Sequence, residues 1–194
     1  MAQQQGVAQP TLVDVLWSPG TGSNPARAIV LALIGSILLI ISAKIQVPFW
    51  PVPMTMQTFV VLVLGIAYGW RLAGATVLLY LAQGAVGLPV FAAGGGLTYL
   101  AGPTGGYLIG FLLGALAVGW LAERGWDCSV PRTLAAMLIG TAIIFACGVV
   151  WLSTLIGLPQ AISAGLVPFL LSEAVKVALA TALVPFAWRF LHRS

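Results

Sequence analysis

The chain has 194 residues; 60% are hydrophobic and only 6% are charged, eight Lys or Arg against four Asp or Glu, for a net charge of +4. A soluble domain carries about 25% charged residues, and they sit mostly on its hydrated surface. So low a share excludes a soluble enzyme and a disordered tail, and the scattered arginines exclude nucleic-acid binding, which needs Lys and Arg clustered on one face.

The solvent for such a chain is a bilayer. A helical span takes about 20 apolar residues, and the apolar runs here are continuous rather than alternating, which reads as helices and not as a barrel. Residues 1–25 form a polar tail rich in Gln, Gly and Pro, expected to be loosely ordered. They lack a charged stretch followed by an apolar one, so no cleaved signal peptide is expected. Residues 26–194 form a single membrane domain. Its first run covers 28–47 and is broken by Lys44. Pro48, Pro51 and Pro53 then forbid a helix, because each lacks an N–H and restricts its predecessor. The second run is 54–69, and Trp70-Arg71 separates it from the third, 72–88. A glycine-rich loop follows over 89–105, with Gly94-Gly95-Gly96 and Gly102-Pro103-Thr104-Gly105. The fourth run is 106–122, a charged loop spans 123–132, the fifth run is 133–158 and the sixth 167–191. The expected fold is an all-α integral membrane protein with six transmembrane helices.

Charge placement orients this bundle. An even number of spans puts both termini on one side, together with Arg27, Arg71, Arg124, Arg132, Arg189 and Arg193; the other side holds only Lys44. The positive-inside bias makes both termini cytoplasmic. The proline loop and the glycine loop then face outward. They are long, uncharged and aromatic, with Phe49, Trp50, Tyr99 and Tyr107. Long loops in compact domains tend to be functional, so they read as lids over something bound from outside; the alternative is an interfacial aromatic belt.

Glu173 and Lys176 lie inside the sixth run. Each costs about 2.5–3.5 kcal/mol at the centre of a span, and the i, i+3 spacing puts both on one helix face. With a helix starting near Val167, Glu173 lies about 9 Å below its outer end. The pair offers an anionic acceptor beside a cationic donor, suited to a small polar ligand; the alternative is a self-neutralising pair that locks helix packing. Gln57 opens the second run between Thr55 and Thr58 and carries both a donor and an acceptor; Thr55 is also a candidate N-cap. Lys44 is expected to snorkel to the interface. Gly106, Gly110 and Gly114 form a smooth strip on the fourth helix. Ala28 and Ala32, continued by Ser36, form one on the first; such strips let helices approach closely.

No phosphate-binding loop is present, so the chain cannot itself drive transport by that route. Cys128 and Cys147 have no metal or redox spacing, and the single histidine, His192, is at the end of the chain, so neither a metal site nor a histidine-based triad is expected. Ser172 and Lys176 are spaced for a Ser–Lys dyad, but Glu173 beside them keeps the lysine protonated. No catalytic residue and no cofactor are expected.

The segments Val52-Pro-Met-Thr-Met-Gln-Thr, Gly84-Ala-Val-Gly-Leu-Pro-Val-Phe-Ala and Gly102-Pro-Thr-Gly-Gly-Tyr-Leu-Ile-Gly-Phe, with the acid-x-x-Lys of the sixth run, resemble the BioY family, the biotin-binding S-components of energy-coupling-factor transporters. The resemblance runs from about Arg27 to the C-terminus. It implies a six-helix bundle in the bacterial cytoplasmic membrane that binds biotin near the outer face. Its implied partners are a transmembrane coupling protein and two cytoplasmic ATPase subunits, with Ala28 and Ala32 facing the coupling protein. Biotin has a ureido ring with two N–H groups and a carbonyl, an apolar sulfur ring and a carboxylate tail. Glu173 and Gln57 suit the ureido edge, Lys176 the carbonyl or tail, and Trp50, Tyr99 and Tyr107 the apolar ring. The competing reading is a self-sufficient secondary transporter in which Glu173 and Lys176 relay protons.

Overall fold

The computed structural model of the chain describes residues 10–17 and 25–191. His192 and Arg193 lie outside them. In chain order the elements are α1 (Leu12–Leu16), α2 (Pro25–Lys44), β1 (Gln46–Val47), β2 (Met54–Thr55), α3 (Gln57–Ala85), α4 (Leu97–Leu100), α5 (Gly105–Ala122), α6 (Val130–Ile156), α7 (Leu158–Gly165), a 3-10 turn (Val167–Phe169) and α8 (Leu170–Leu191). Five continuous helical stretches are long and apolar enough to cross a membrane: Pro25–Lys44, Gln57–Ala85, Gly105–Ala122, Val130–Ile156 and Leu158–Phe190.

The longest helix is not a rod. Gly69 has φ 73° and ψ 169°, a conformation open to glycine and strained for other residues. The chain folds back there into two arms, 57–68 and 70–85. Gln57 Nε2 donates to the Tyr80 hydroxyl at 2.7 Å, whereas 23 residues of straight helix would separate the two by about 35 Å. The Trp70-Arg71 break of the sequence is therefore a hairpin turn. Glu123 Oε1 accepts from its Trp70 amide at 3.3 Å.

Close helix approach follows from small residues. A Cβ on Gly110 would lie 2.8 Å from the Ile144 backbone, and one on Gly106 would run into Trp151. The strip expected on the fourth run is thus the seam between α5 and α6. The strip on α2 divides: Ala28 is exposed and Ala32 half-buried, while Ser36 is fully buried and donates to Gln83 Oε1 at 2.6 Å. Leu39, Val61, Ile66, Val77, Met137, Ile144 and Leu152 fill the interior, and Ile29, Ile37, Leu138, Leu179 and Phe186 point outward. An apolar exterior around a packed interior is the pattern of a bundle solvated by lipid.

The two ends of the bundle differ. One carries the Gly69 turn, the 123–129 loop and residues 10–17 of the tail, which form a short capped helix; residues 1–9 and 18–24 of the tail lie outside the described residues. Thr11 and Asp14 form a capping box on α1, Leu12 is buried, and Asp14 Oδ1 accepts from Arg27 at 3.0 Å. Burial alone would raise the Asp14 pKa; the hydrogen bonds from Thr11 and the Arg27 guanidinium outweigh it and hold the carboxyl below its usual value. In the loop, Asp127 is 2% exposed and accepts from Trp188 Nε1 of α8 at 2.7 Å. Burial pushes this carboxyl above the usual range, against the Trp188 and Cys128 hydrogen bonds. The opposite end carries the β1–β2 hairpin, with Gln46 paired to Thr55 and Val47 to Met54, and the 86–104 loop. The functional groups gather there.

Candidate functional site

A narrow cavity opens beneath these two loops, lined by α3, α5, α6 and α8 together with both loops. Its walls are apolar and aromatic, and its polar groups sit at one end.

That end is built on the first turn of α8. The sixth run begins helically at Val167, as a 3-10 turn, but α8 itself starts at Leu170. Glu173 is therefore only three residues into it, where exposed N–H groups and the helix dipole favour a carboxylate. Glu173 Oε1 accepts from Lys176 Nζ at 2.7 Å and from the Thr58 hydroxyl at 2.9 Å. The same ammonium donates to the Thr55 carbonyl at 2.6 Å and to Thr58 Oγ1 at 3.1 Å. Glu173, Lys176 and Thr58 are nearly inaccessible, at 5%, 7% and 7% exposure, and Thr55 is half-buried. An ammonium has three protons, and all three have acceptors within the chain. Among the described residues no donor reaches Glu173 Oε2, and Glu173 lines the cavity whereas Lys176 does not. Lys176 instead lines a lateral pocket with Ile45, Met54 and Ser172.

Gln57 provides a second acceptor. The Tyr80 hydroxyl has one proton, which it donates to the Val90 carbonyl at 3.3 Å. Its oxygen must then accept, so the Gln57 amide turns its nitrogen to Tyr80. Gln57 Oε1 is left without a donor among the described residues, on a side chain that lines the cavity. Thr55 holds the entry to α3, its Oγ1 accepting from the Gln57 backbone N–H at 3.3 Å.

Two aromatic chains form the walls. On one side Tyr80 meets Phe91 edge-on at 5.4 Å, and Phe91 stacks on Tyr99 at 5.1 Å. On the other, Phe145 meets Tyr107 and Phe169 edge-on, at 5.8 Å each, and Phe49 caps Phe169 at 6.2 Å. Local sequence places both. A Cβ on Gly84 would fall inside the Phe91 ring, and one on Gly148 would overlap Tyr107. Tyr107 is pinned further by donating to the Gly165 carbonyl at 2.6 Å. The 86–104 loop is tied down from α2 and β1: Lys44 Nζ donates to the Phe91 carbonyl at 2.6 Å and Gln46 Nε2 to that of Ala92 at 3.1 Å.

Of the residues singled out in the sequence, Glu173, Gln57, Thr55, Tyr99 and Tyr107 converge on the cavity. Lys176 reaches it through Glu173. Trp50 does not: it is 82% exposed at the hairpin tip. The wall positions fall to Phe91, Phe111, Phe145 and Phe169; in the sequence Phe111, Phe145 and Phe169 look like ordinary apolar span residues, and Phe91 is one more apolar residue of the glycine-rich loop. Thr58, the centre of the polar cluster, was visible only as a neighbour of Gln57.

The chain matches the BioY family over residues 11–193. It is 40% identical over 156 residues to a protein of Thermotoga maritima named biotin transporter BioY, covering 79% of this chain and 91% of that one. A Rhizobium etli protein of the same name is 34% identical over 166 residues, covering 80% and 89%. The fold is similar to a crystal structure of the S-component for biotin from an ECF-type ABC transporter, with a TM-score of 0.74 at 24% identity, over 87% of this chain and 94% of the other. Since the match takes in nearly every described residue, the chain belongs to the BioY family.

Proposed function

We propose that the chain is a membrane-embedded biotin-binding and uptake component, the S-component of an energy-coupling-factor transporter. The observation that carries the reading is the pair of open acceptors, Glu173 Oε2 and Gln57 Oε1, on one apolar aromatic cavity. A cyclic urea has two N–H donors, and its fused sulfur ring is apolar. Glu173 and Gln57 bind the ureido edge, Thr55 and Thr58 frame it, and Tyr99 and Tyr107 enclose the rings. Lys176 acts by holding the Glu173 carboxyl in place. An analogue without the N–H groups would leave these acceptors buried and unpaired, which is how such sites discriminate.

The membrane arrangement belongs to the same reading. Counting the two arms of α3 separately gives six spans in one domain over 26–194, after the tail 1–25. The bias of arginines toward the Gly69 end supports a cytoplasmic position for that end and both termini, in the cytoplasmic membrane of a bacterium. Ala28 and Ala32, accessible on α2, face a transmembrane coupling protein, and two ATPase subunits supply the energy that this chain has no phosphate-binding loop to supply. The chain binds and releases biotin without altering it.

Titration of biotin into the detergent-purified chain tests the site. Removing a charged hydrogen-bond partner costs about 1.5–3 kcal/mol, so Glu173→Ala should weaken binding roughly 10- to 100-fold. Equal affinity in Glu173→Ala would remove the site, and no binding by the wild type would remove the substrate. Uptake that needs no ATPase and collapses with an uncoupler would instead favour the proton-relay transporter.

A further inference from the structure

At the end of the bundle opposite the cavity, two arginines lie on two accessible tryptophans. A Cβ on Gly119 would be 2.5 Å from the Trp70 amide nitrogen, so α5 touches the backbone of the α3 turn. That contact brings Trp70-Arg71 beside Trp120 and Arg124. The Arg124 guanidinium lies 3.4 Å from the Trp120 ring centroid and donates to the Trp120 carbonyl at 2.9 Å. Arg71 lies 5.1 Å from the centroid of Trp70. Trp70 and Trp120 are 37% and 48% exposed, and both arginines are exposed. Among the described residues neither arginine forms an ion pair, and the neighbouring carboxylate, Glu123, accepts from the Trp70 amide.

We infer that this patch binds the headgroup of an anionic phospholipid. A guanidinium fork matches a phosphate geometrically, and stacking on the indoles holds both forks before the ligand arrives. Tryptophans favour the headgroup level of a bilayer. Two turns along the same faces, seven residues away, stand the accessible Leu78 above Arg71 and Leu113 above Trp120, a surface for acyl chains. Charge and apolar stripe together fit a lipid rather than a soluble anion. The leaflet follows from the orientation proposed above; the site itself does not depend on biotin binding.

Native mass spectrometry of the whole purified chain tests it, with phosphatidylglycerol, phosphatidylcholine and inorganic phosphate as separate probes. The wild type should retain phosphatidylglycerol over phosphatidylcholine and ignore phosphate. Basic residues contribute about five-fold each near a membrane surface, so Arg71→Gln/Arg124→Gln should lose roughly 25-fold. Arg71→Lys/Arg124→Lys should lose less, and Arg132→Gln, on the first turn of α6 and in neither Arg–Trp stack, should keep wild-type retention. A wild-type melting temperature in phosphatidylcholine nanodiscs establishes that the variants fold; the lysine pair carries the test if the glutamine pair does not. Equal retention of both lipids, equal loss in Arg132→Gln, an unchanged double variant, or equal binding of free phosphate overturns the site.

Discussion

Lys176→Met separates a structural counter-ion from a ligand contact. The ammonium and Glu173 Oε1 are 2.7 Å apart and almost inaccessible. Two unit charges at that separation attract by about 6 kcal/mol at an effective dielectric constant near 20, but desolvation offsets much of this. The pair is therefore worth little against an apolar pair of the same size, while removing one partner costs about 3–5 kcal/mol because the other charge is left buried. Lys176→Met and Glu173→Gln alone should each lower the melting temperature in detergent, Lys176→Met on the order of 10 °C. The double variant should recover most of that loss. In binding, Lys176→Met should weaken biotin and its methyl ester by the same factor, since the ammonium has no proton left for either. A cost below about 1 kcal/mol for Lys176→Met, additive losses in the double variant, or weakening confined to free biotin would refute this account.

Gln57→Leu should weaken biotin roughly 10- to 100-fold by titration, and Tyr80→Phe by less, because it only frees the amide to rotate. Gly84→Ala drives a methyl into the Phe91 ring; it should displace the 86–104 loop, reduce affinity and raise protease cleavage within that loop. Trp50→Ala should bind biotin within about two-fold of the wild type, since the ring is 82% exposed and surface changes usually stay within about 0.5 kcal/mol. Asp127 has a raised folded-state pKa, so between the unfolded value of 3.8 and that raised value the native state holds the extra proton and stability falls as pH rises. Asp127→Asn keeps the acceptor for Trp188 and removes that penalty. Its melting temperature, measured from pH 4 to 7, should gain on the wild type as pH increases and level off above the folded-state pKa.

Which parts of the site were legible depends on how unusual each residue was in its setting. Glu173 and Lys176 stood out because lipid penalises charge, and the helix spacing put them on one face. Gln57 stood out as an amide opening an apolar run. Phe111, Phe145 and Phe169 did not, because an aromatic side chain in a span is ordinary whether it faces lipid, core or cavity, and Phe91 was one apolar residue within a glycine-rich loop. Trp50 was drawn into the expected site by its type and loop, and the hairpin turns it outward. Lys44 was expected only to snorkel, yet its ammonium fixes the loop that carries Phe91.

Composition alone determined the solvent, since twelve charged side chains cannot hydrate a surface for 194 residues. Hydropathy determined the number of apolar runs, and arginine placement their bias. Gly69 was one glycine among 23; only the fold reveals that its positive φ divides α3 and brings Gln57 against Tyr80. Tertiary structure also decided how the charged pair works. Sequence spacing brings Glu173 and Lys176 together, but Thr55 and Thr58 come from more than 110 residues away. Their carbonyl and hydroxyl occupy the ammonium and leave one carboxylate oxygen open. Hydrogen-bond saturation depends on contacts between distant segments, and residue order does not encode it locally.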